Sequence, residues 1–236
     1  QAMVNPGDEI LVPAPDYPTW TGAVNLTGGV PVHYLADEDN GWNPSLADIE
    51  SKVTPRTTAL VLINPNNPTG AVYSEETVRG MADIARRHGL ILLSDEIYEE
   101  LVFGDAVHHH AALAAVDDVL CLTFGGLSKA YRVCGYRAGW VAVTGPLEAA
   151  EDLLEGITLL SNMHAALGDL NRVEKIVKVT GFVNCTPDFA SQPKVINGFS
   201  DLMLSVFGRE IGAHSRSAIG IAALPANIPV EIEVLI

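Results

Sequence analysis

From residue 9 to about residue 160, short runs of apolar and β-branched residues alternate with stretches whose apolar positions recur at helical spacing. That alternation is the pattern of repeated βαβ units and predicts an α/β fold with a mainly parallel sheet. Glu9-Ile10-Leu11-Val12 opens the series. Ala59-Leu60-Val61-Leu62-Ile63 is apolar throughout and stops at Asn64-Pro65, as a strand covered by helices on both faces would. Leu90-Ile91-Leu92-Leu93 and Val119-Leu120-Cys121-Leu122 read in the same way, so three central strands are predicted. Between the first two lies a helix over 74–88, with Ser74 as N-cap, Glu75 and Glu76 in the first turn, Arg86 and Arg87 in the last, and Gly89 beyond.

The pattern changes near Met163. Val177, Val179, Gly181 and Val183 fall on one side of a strand, a helix is predicted over 191–207, and two alternating strands over 218–222 and 230–234 flank the Leu224-Pro225 turn in hairpin fashion. Val195, Phe199, Leu202 and Val206 make the core-facing stripe of that helix. The expectation is two domains, 1–163 and 164–236, the second α+β, with no internal repeat.

With 48% apolar residues in 236, the chain can bury a substantial core, which excludes a disordered chain. A net charge of -15 argues against nucleic acid as a partner, since phosphates must be neutralised by lysine and arginine. Cys121, Cys134 and Cys185 are odd in number and lack paired metal-ligand spacing, so neither a disulfide framework nor a zinc site is expected. No charged leader and no apolar run of membrane-spanning length is visible, and the expectation is a cytoplasmic protein without a membrane partner. The chain enters a strand soon after Gln1, which reads as a fragment or a processed chain.

Candidate chemistry gathers at the ends of predicted strands, the edge at which open α/β sheets bind ligands. These features are the turn from Asn64 to Gly70, Ser94-Asp95-Glu96-Ile97-Tyr98, Gly126-Leu127-Ser128-Lys129, and Arg137. Singly, each has an ordinary reading: a turn, a helix cap, a solvated lysine.

In their joint order, residues 1–163 resemble the middle of the large domain of fold-type I, pyridoxal-phosphate-dependent aminotransferases, the alanine and aspartate aminotransferase group in particular. The resemblance is carried by Val12-Pro13-Ala14-Pro15-Asp16-Tyr17-Pro18, Asn64 to Gly70, Asp95-Glu96-Ile97-Tyr98, and Gly126-Leu127-Ser128-Lys129-Ala130-Tyr131-Arg132 with Gly135-Tyr136-Arg137. It implies transfer of an amino group between an amino acid and a 2-oxo acid, with pyridoxal 5'-phosphate as cofactor and a homodimer as the complete assembly. Lys129 would form the Schiff base and shuttle a proton at the substrate's α-carbon, which requires an amine that is not held fully protonated. Asp95 would pair with the pyridine nitrogen. Tyr98 and Asn67 would bond the ring oxygen, Tyr98 lying three residues after Asp95, and Tyr17 would stack on the ring. Arg137 would grip the phosphate with its planar fork of donors.

The family pattern is incomplete here. Complete members begin well upstream, with a glycine-containing phosphate loop. They also continue into a small domain whose arginine binds the substrate carboxylate, and nothing after Met163 matches it. Where many relatives place a phosphate-bonding serine this chain has Gly126, with Ser128 as a partial substitute.

Residues from about 165 resemble the later part of the RidA (YjgF-like) enamine and imine deaminases, which have a chorismate mutase-like fold and form trimers. The likeness rests on Gly168-Asp169-Leu170, Val177-Lys178-Val179-Thr180, Arg216-Ser217, Leu224-Pro225 and Val230-Glu231-Ile232-Glu233. It implies that Arg216 grips a substrate carboxylate and Glu231 orients the hydrolytic water. Three functional readings stand at this point: an aminotransferase, an imine deaminase acting through the second segment, and a non-catalytic fragment or chimera.

No metal is expected. His108-His109-His110 would splay in different directions from a short loop, with no carboxylate or cysteine pattern to complete a site. Gly125-Gly126 lacks the rest of a nucleotide-binding loop.

Overall fold

A computed structural model describes residues 3–115, 118–225 and 228–236, without the side chains at 147–149, 151–153 and 155; Gln1, and the expectation placed on it, lies outside the described residues. The described residues form two compact units, one within Val4–Ala150 and one within Glu151–Ile236 together with Met3. The division falls within the helix Leu147–Leu167, and Met163 lies further along that same helix.

The first unit is built on a seven-stranded sheet. Its strands are β1 (Glu9–Ala14), β2 (Val30–Asp37), β3 (Asn43–Pro44), β4 (Thr57–Ile63), β5 (Ile91–Asp95), β6 (Cys121–Gly126) and β7 (Gly139–Thr144), in the spatial order β3-β2-β1-β4-β5-β6-β7. The five from β2 to β6 run parallel, while β3 and β7 join antiparallel at the edges. The α/β expectation with a mainly parallel sheet is borne out. β4 shows why: every residue from Ala59 to Ile63 is buried, as a central strand between two helical layers requires.

The helix Glu75–His88 follows its punctuation. Ser74 Oγ accepts from Thr77 N at 3.1 Å, and Gly89 closes the helix in the left-handed conformation that a residue without Cβ adopts at little cost. Val78, Met81, Ala82, Ile84 and Ala85 form its buried face and pack with Leu60, Leu62 and Leu92 in one core.

The second unit has three strands, β8 (Lys178–Asn184), β9 (Ser215–Ile221) and β10 (Val230–Leu235), in the order β10-β8-β9. Val179 and Val183 alternate into a core with Ile196, Phe199 and Met203 of the segment that becomes the helix Asn197–Gly212. Gly181 lies between them because a Cβ there would come within 2.4 Å of Ile196 Cδ1. The regular helix breaks at Gly208, whose φ is 70°. Of the predicted stripe, Phe199 is buried and Leu202 packs on the core, whereas Val195 is 39% exposed.

The hairpin reading of the last two strands is corrected. β9 and β10 do not pair; β8 lies between them, parallel to β9 and antiparallel to β10. Alternation reports which face a residue takes and says nothing about which strand is its neighbour. Here the helix between β8 and β9 provides a crossover, so the pair is parallel. Among the described residues no helix is long and apolar enough to cross a membrane.

Candidate active site

Sheet register does most of the assembly. Ile63 pairs with Asp95, and Asp95 with Phe124, so β4 and β5 end on one level and β6 runs two residues further, to Gly126. The segments leaving those ends carry Asn67, Tyr98, Ser128 and Lys129, while Tyr17 follows the end of β1. A cleft of about 340 Å³ opens there, lined by Tyr17, Asn67, Asp95, Tyr98, Ser128, Lys129 and Arg137, with Cys134, Phe124 and Ile97 among its other walls. Asp95 and Lys129 therefore face a common space. The ammonium of Lys129 lies 5.7 Å from the Tyr98 ring centroid.

The turn that presents Asn67 is held from beneath by buried amides. Asn64 Oδ1 accepts from Tyr73 N at 2.9 Å, and Asn66 Oδ1 accepts from Thr69 N at 3.2 Å and Thr69 Oγ1 at 2.8 Å. Asn66 Nδ2 donates to the buried Tyr73 hydroxyl at 3.1 Å. With those buried polar groups paired, the turn has a fixed shape. Burial raises the Tyr73 phenol well above its ordinary range, so it stays protonated.

Sequence reasoning missed the partner of Asp95. Trp20 Nε1 donates to Asp95 Oδ2 at 3.0 Å, and Ile97 N donates to Oδ1 at 3.3 Å. Trp20 packs edge-on against Phe124 with centroids 5.6 Å apart. The signal available was Trp20 three residues after Tyr17, at the start of the helix Pro18–Leu26.

Beyond Asp95 the chain forms turns, with Glu99 N donating to Glu96 O at 2.9 Å and Leu101 N to Tyr98 O at 2.8 Å. After Lys129, Arg132 and Arg137 both take positive φ, of 56° and 49°. Two left-handed non-glycine residues in six positions mark a segment whose path is set by its surroundings. Arg137 is exposed and its Nη1 donates to Cys134 O at 3.2 Å. Gly126 sits opposite Gly139 across β6 and β7, and a Cβ there would lie 2.9 Å from Ile97 Cδ1. A serine at that position would require Ile97 to turn.

The histidine run behaves differently from the expectation. His109 turns away, its carbonyl accepting from Asn64 Nδ2 at 3.3 Å. His108 Nε2 and His110 Nδ1 instead converge on Glu96 Oε2, at 2.9 and 2.6 Å, and Glu99 Oε2 lies 3.6 Å from His110 Nδ1. The statement that no carboxylate stands beside these histidines is thus corrected: two do, supplied by the strand end rather than by the loop. Burial pushes the Glu96 carboxyl up, but bonds from His108, the Ala111 N–H, Ser94 and His110 outweigh it and hold the group at about 2.

In the second unit Arg216 and Glu231 do not converge. Arg216 pairs with Val179 of β8 and Glu231 with Phe182, three positions apart, so they occupy opposite faces of the sheet. Arg216 Nη1 donates to Asn197 Oδ1 at 2.9 Å and to Ser200 Oγ at 3.2 Å, beside a recess shared with His214 and Arg209.

Comparison with known proteins finds two families, whose matches overlap over residues 132–179. Residues 1–179 match the family described as Aminotransferase class I and II, and residues 132–236 match the family described as Endoribonuclease L-PSP, the C-terminal resemblance. An alanine aminotransferase of Mycobacterium tuberculosis is 61% identical over 163 residues, 69% of this chain and 38% of that protein. The glutamate-pyruvate aminotransferase AlaA of Escherichia coli is 54% identical, over 69% of this chain and 40% of that protein. Among solved structures, an aminotransferase from Escherichia coli has a TM-score of 0.67 at 53% identity, over 69% of this chain and 40% of its own. An alanine aminotransferase from Pyrococcus furiosus has a TM-score of 0.66 at 39% identity, over 69% and 41%. The chain spans about two fifths of the length of the curated relatives it matches.

Proposed function

Because the chain belongs to the class I and II aminotransferases, we propose that its first unit binds pyridoxal 5'-phosphate and carries out amino transfer between an amino acid of the alanine or glutamate type and a 2-oxo acid. The carrying observation is that Tyr17, Asn67, Asp95, Tyr98, Ser128, Lys129 and Arg137 line one cleft. The donor set suits the group: a carboxylate for a protonated ring nitrogen, hydroxyl and amide for a ring oxygen, a guanidinium and a hydroxyl for a phosphate, an amine for an aldehyde.

When bound, the cofactor supplies an aldehyde that accepts the amino group and a ring that spreads negative charge from the substrate's α-carbon. Asp95, oriented by Trp20 and Ile97 N, would pair with the ring nitrogen and hold a proton there. Lys129 would hold the aldehyde and, as a free amine, would move the proton at the substrate's α-carbon. Asn67 and Tyr98 would hold the ring oxygen, Tyr17 would cover the ring, and Arg137 with Ser128 would hold the phosphate. A homodimer belongs to this reading for the complete protein, and three cysteines without a disulfide pattern fit a cytoplasmic location.

Purified chain mixed with pyridoxal phosphate is expected to develop a visible absorption band that is absent in Lys129→Ala. L-Alanine or L-glutamate should then bleach it as the amino group transfers. No band in the parent would refute cofactor binding; a band that neither amino acid alters would leave a cofactor-binding, non-catalytic fragment as the better reading.

A further inference from the structure

Glu96, Glu99, His108 and His110 bring one ligand atom each within 4.8 Å of one another, at the strand end beside the cleft. Glu96 is 1% exposed and the His108 side chain 8%, whereas Glu99 and His110 open toward solvent at 26% and 47%. The two oxygens of Glu96 have separate surroundings. Oε1 accepts from Ser94 Oγ at 2.8 Å and from Ala111 N at 3.0 Å, which fixes the plane of the carboxylate. Oε2 is left to His108 Nε2 at 2.9 Å and His110 Nδ1 at 2.6 Å. A ligating carboxylate oriented through its second oxygen by a hydroxyl and a backbone N–H is the arrangement that metal centres use to hold their ligands.

The spacing agrees with the chemistry. Nitrogen and oxygen ligands bind zinc at roughly 2.0–2.2 Å, so neighbouring ligand atoms of a tetrahedral site are about 3.3 Å apart. Three pairs stand 2.6, 2.9 and 3.6 Å apart and no pair exceeds 4.8 Å, so an ion would replace the two hydrogen bonds to Glu96 Oε2 and need only small side-chain shifts. The charge also agrees, because neither Glu96 nor Glu99 meets a lysine or arginine among the described residues, and two carboxylates with two neutral imidazoles balance one divalent cation. Two imidazoles and two carboxylates suit borderline transition metals and serve magnesium poorly, which takes oxygen ligands and keeps its water.

We propose that Glu96, Glu99, His108 and His110 form a binding site for a divalent transition-metal ion of the zinc class. An ion there ties the segment 99–110 to the end of β5, one residue from Asp95. Its place makes it a structural fastener of the cleft wall, and it requires no cofactor.

The test is calorimetric titration of zinc chloride into the full chain, produced without a histidine tag and stripped of metal and cofactor. Magnesium chloride is titrated in parallel, and cobalt(II) spectra report nitrogen coordination. One equivalent of zinc is expected to bind, with affinity lowered at least tenfold in His110→Ala and in Glu99→Gln, both at partly exposed positions, and unchanged in His109→Ala. No stoichiometric zinc binding by the parent overturns the proposal. So does equal affinity in both ligand variants, an equal loss in His109→Ala, or magnesium binding as tight as zinc.

Discussion

The bond from Trp20 Nε1 to Asp95 Oδ2 can be weighed without any cofactor. At 3.0 Å between partly buried groups, it joins a neutral donor to an ionised acceptor. Bonds of that kind contribute about 1.5–3 kcal/mol when one partner is removed, and partial exposure here brings the expectation to about 1–2 kcal/mol. Trp20→Phe deletes the donor but also leaves a gap beside Phe124, so the single substitution mixes two effects. A double-mutant cycle with Asp95→Ala, which leaves no side-chain acceptor for the indole, separates them, since the packing loss is common to both arms. The readout is urea unfolding followed by tryptophan fluorescence. All three tryptophans, Trp20, Trp42 and Trp140, lie in the unit Val4–Ala150, so Trp42 and Trp140 still report on that unit alone once Trp20 is gone. A coupling energy of about 1–2 kcal/mol is expected, and strict additivity, below about 0.5 kcal/mol, would show that the indole does not hold the carboxylate. If it does, Trp20→Phe should also weaken pyridoxal phosphate binding by about five- to tenfold, because an unrestrained carboxylate must be ordered at the moment of binding.

Other outcomes follow from the same geometry. Arg137→Lys should weaken cofactor binding by about tenfold in a spectroscopic titration, since a lysine cannot reproduce the planar fork of donors. Burial pushes the Cys121 thiol from 9.0 up to about 11, so the folded state holds this proton more tightly than the unfolded chain. Its contribution is complete below pH 9 and is lost as the pH rises toward 11. In fluorescence-monitored urea unfolding, Cys121→Ala should reduce the alkaline fall in stability by up to about 2.7 kcal/mol, with Tyr34 and Tyr73 retaining their share. Parallel curves for parent and variant would contradict this. Because Arg216 and Glu231 occupy opposite faces, they should not act as a pair: in any imine hydrolysis by the chain, the effects of Arg216→Ala and Glu231→Ala should multiply in the double variant, and a double variant no worse than either single one would refute this.

What could be read from the residues was mostly local or ordered along the chain. β4 and the helix Glu75–His88 declare themselves because burial on both faces, a cap and a glycine stop are written within the segment. The cleft was legible because its residues follow strands in an order that a resemblance could recognise. Trp20 was not, since its bond to Asp95 spans 75 positions and depends on where the helix Pro18–Leu26 starts over the sheet. The convergence of His108 and His110 was hidden for a related reason. Alternate residues of an extended segment point the same way, but only the fold brings Glu96 to meet them. β2 and β7 escaped notice because their apolar positions are interrupted, by Pro31 and His33 in one and by exposed Gly139 and Trp140 in the other. Neighbour order in the second unit is not encoded in alternation at all.

Because Ile63, Asp95 and Phe124 are register partners in one row across three adjacent strands, the points from which the site segments depart are set by peptide hydrogen bonds. A one-residue slip of β5 would swing Asp95 to the reverse side of the sheet. Substitutions that loosen strand pairing should therefore extinguish cofactor capture well before the unit loses its compactness.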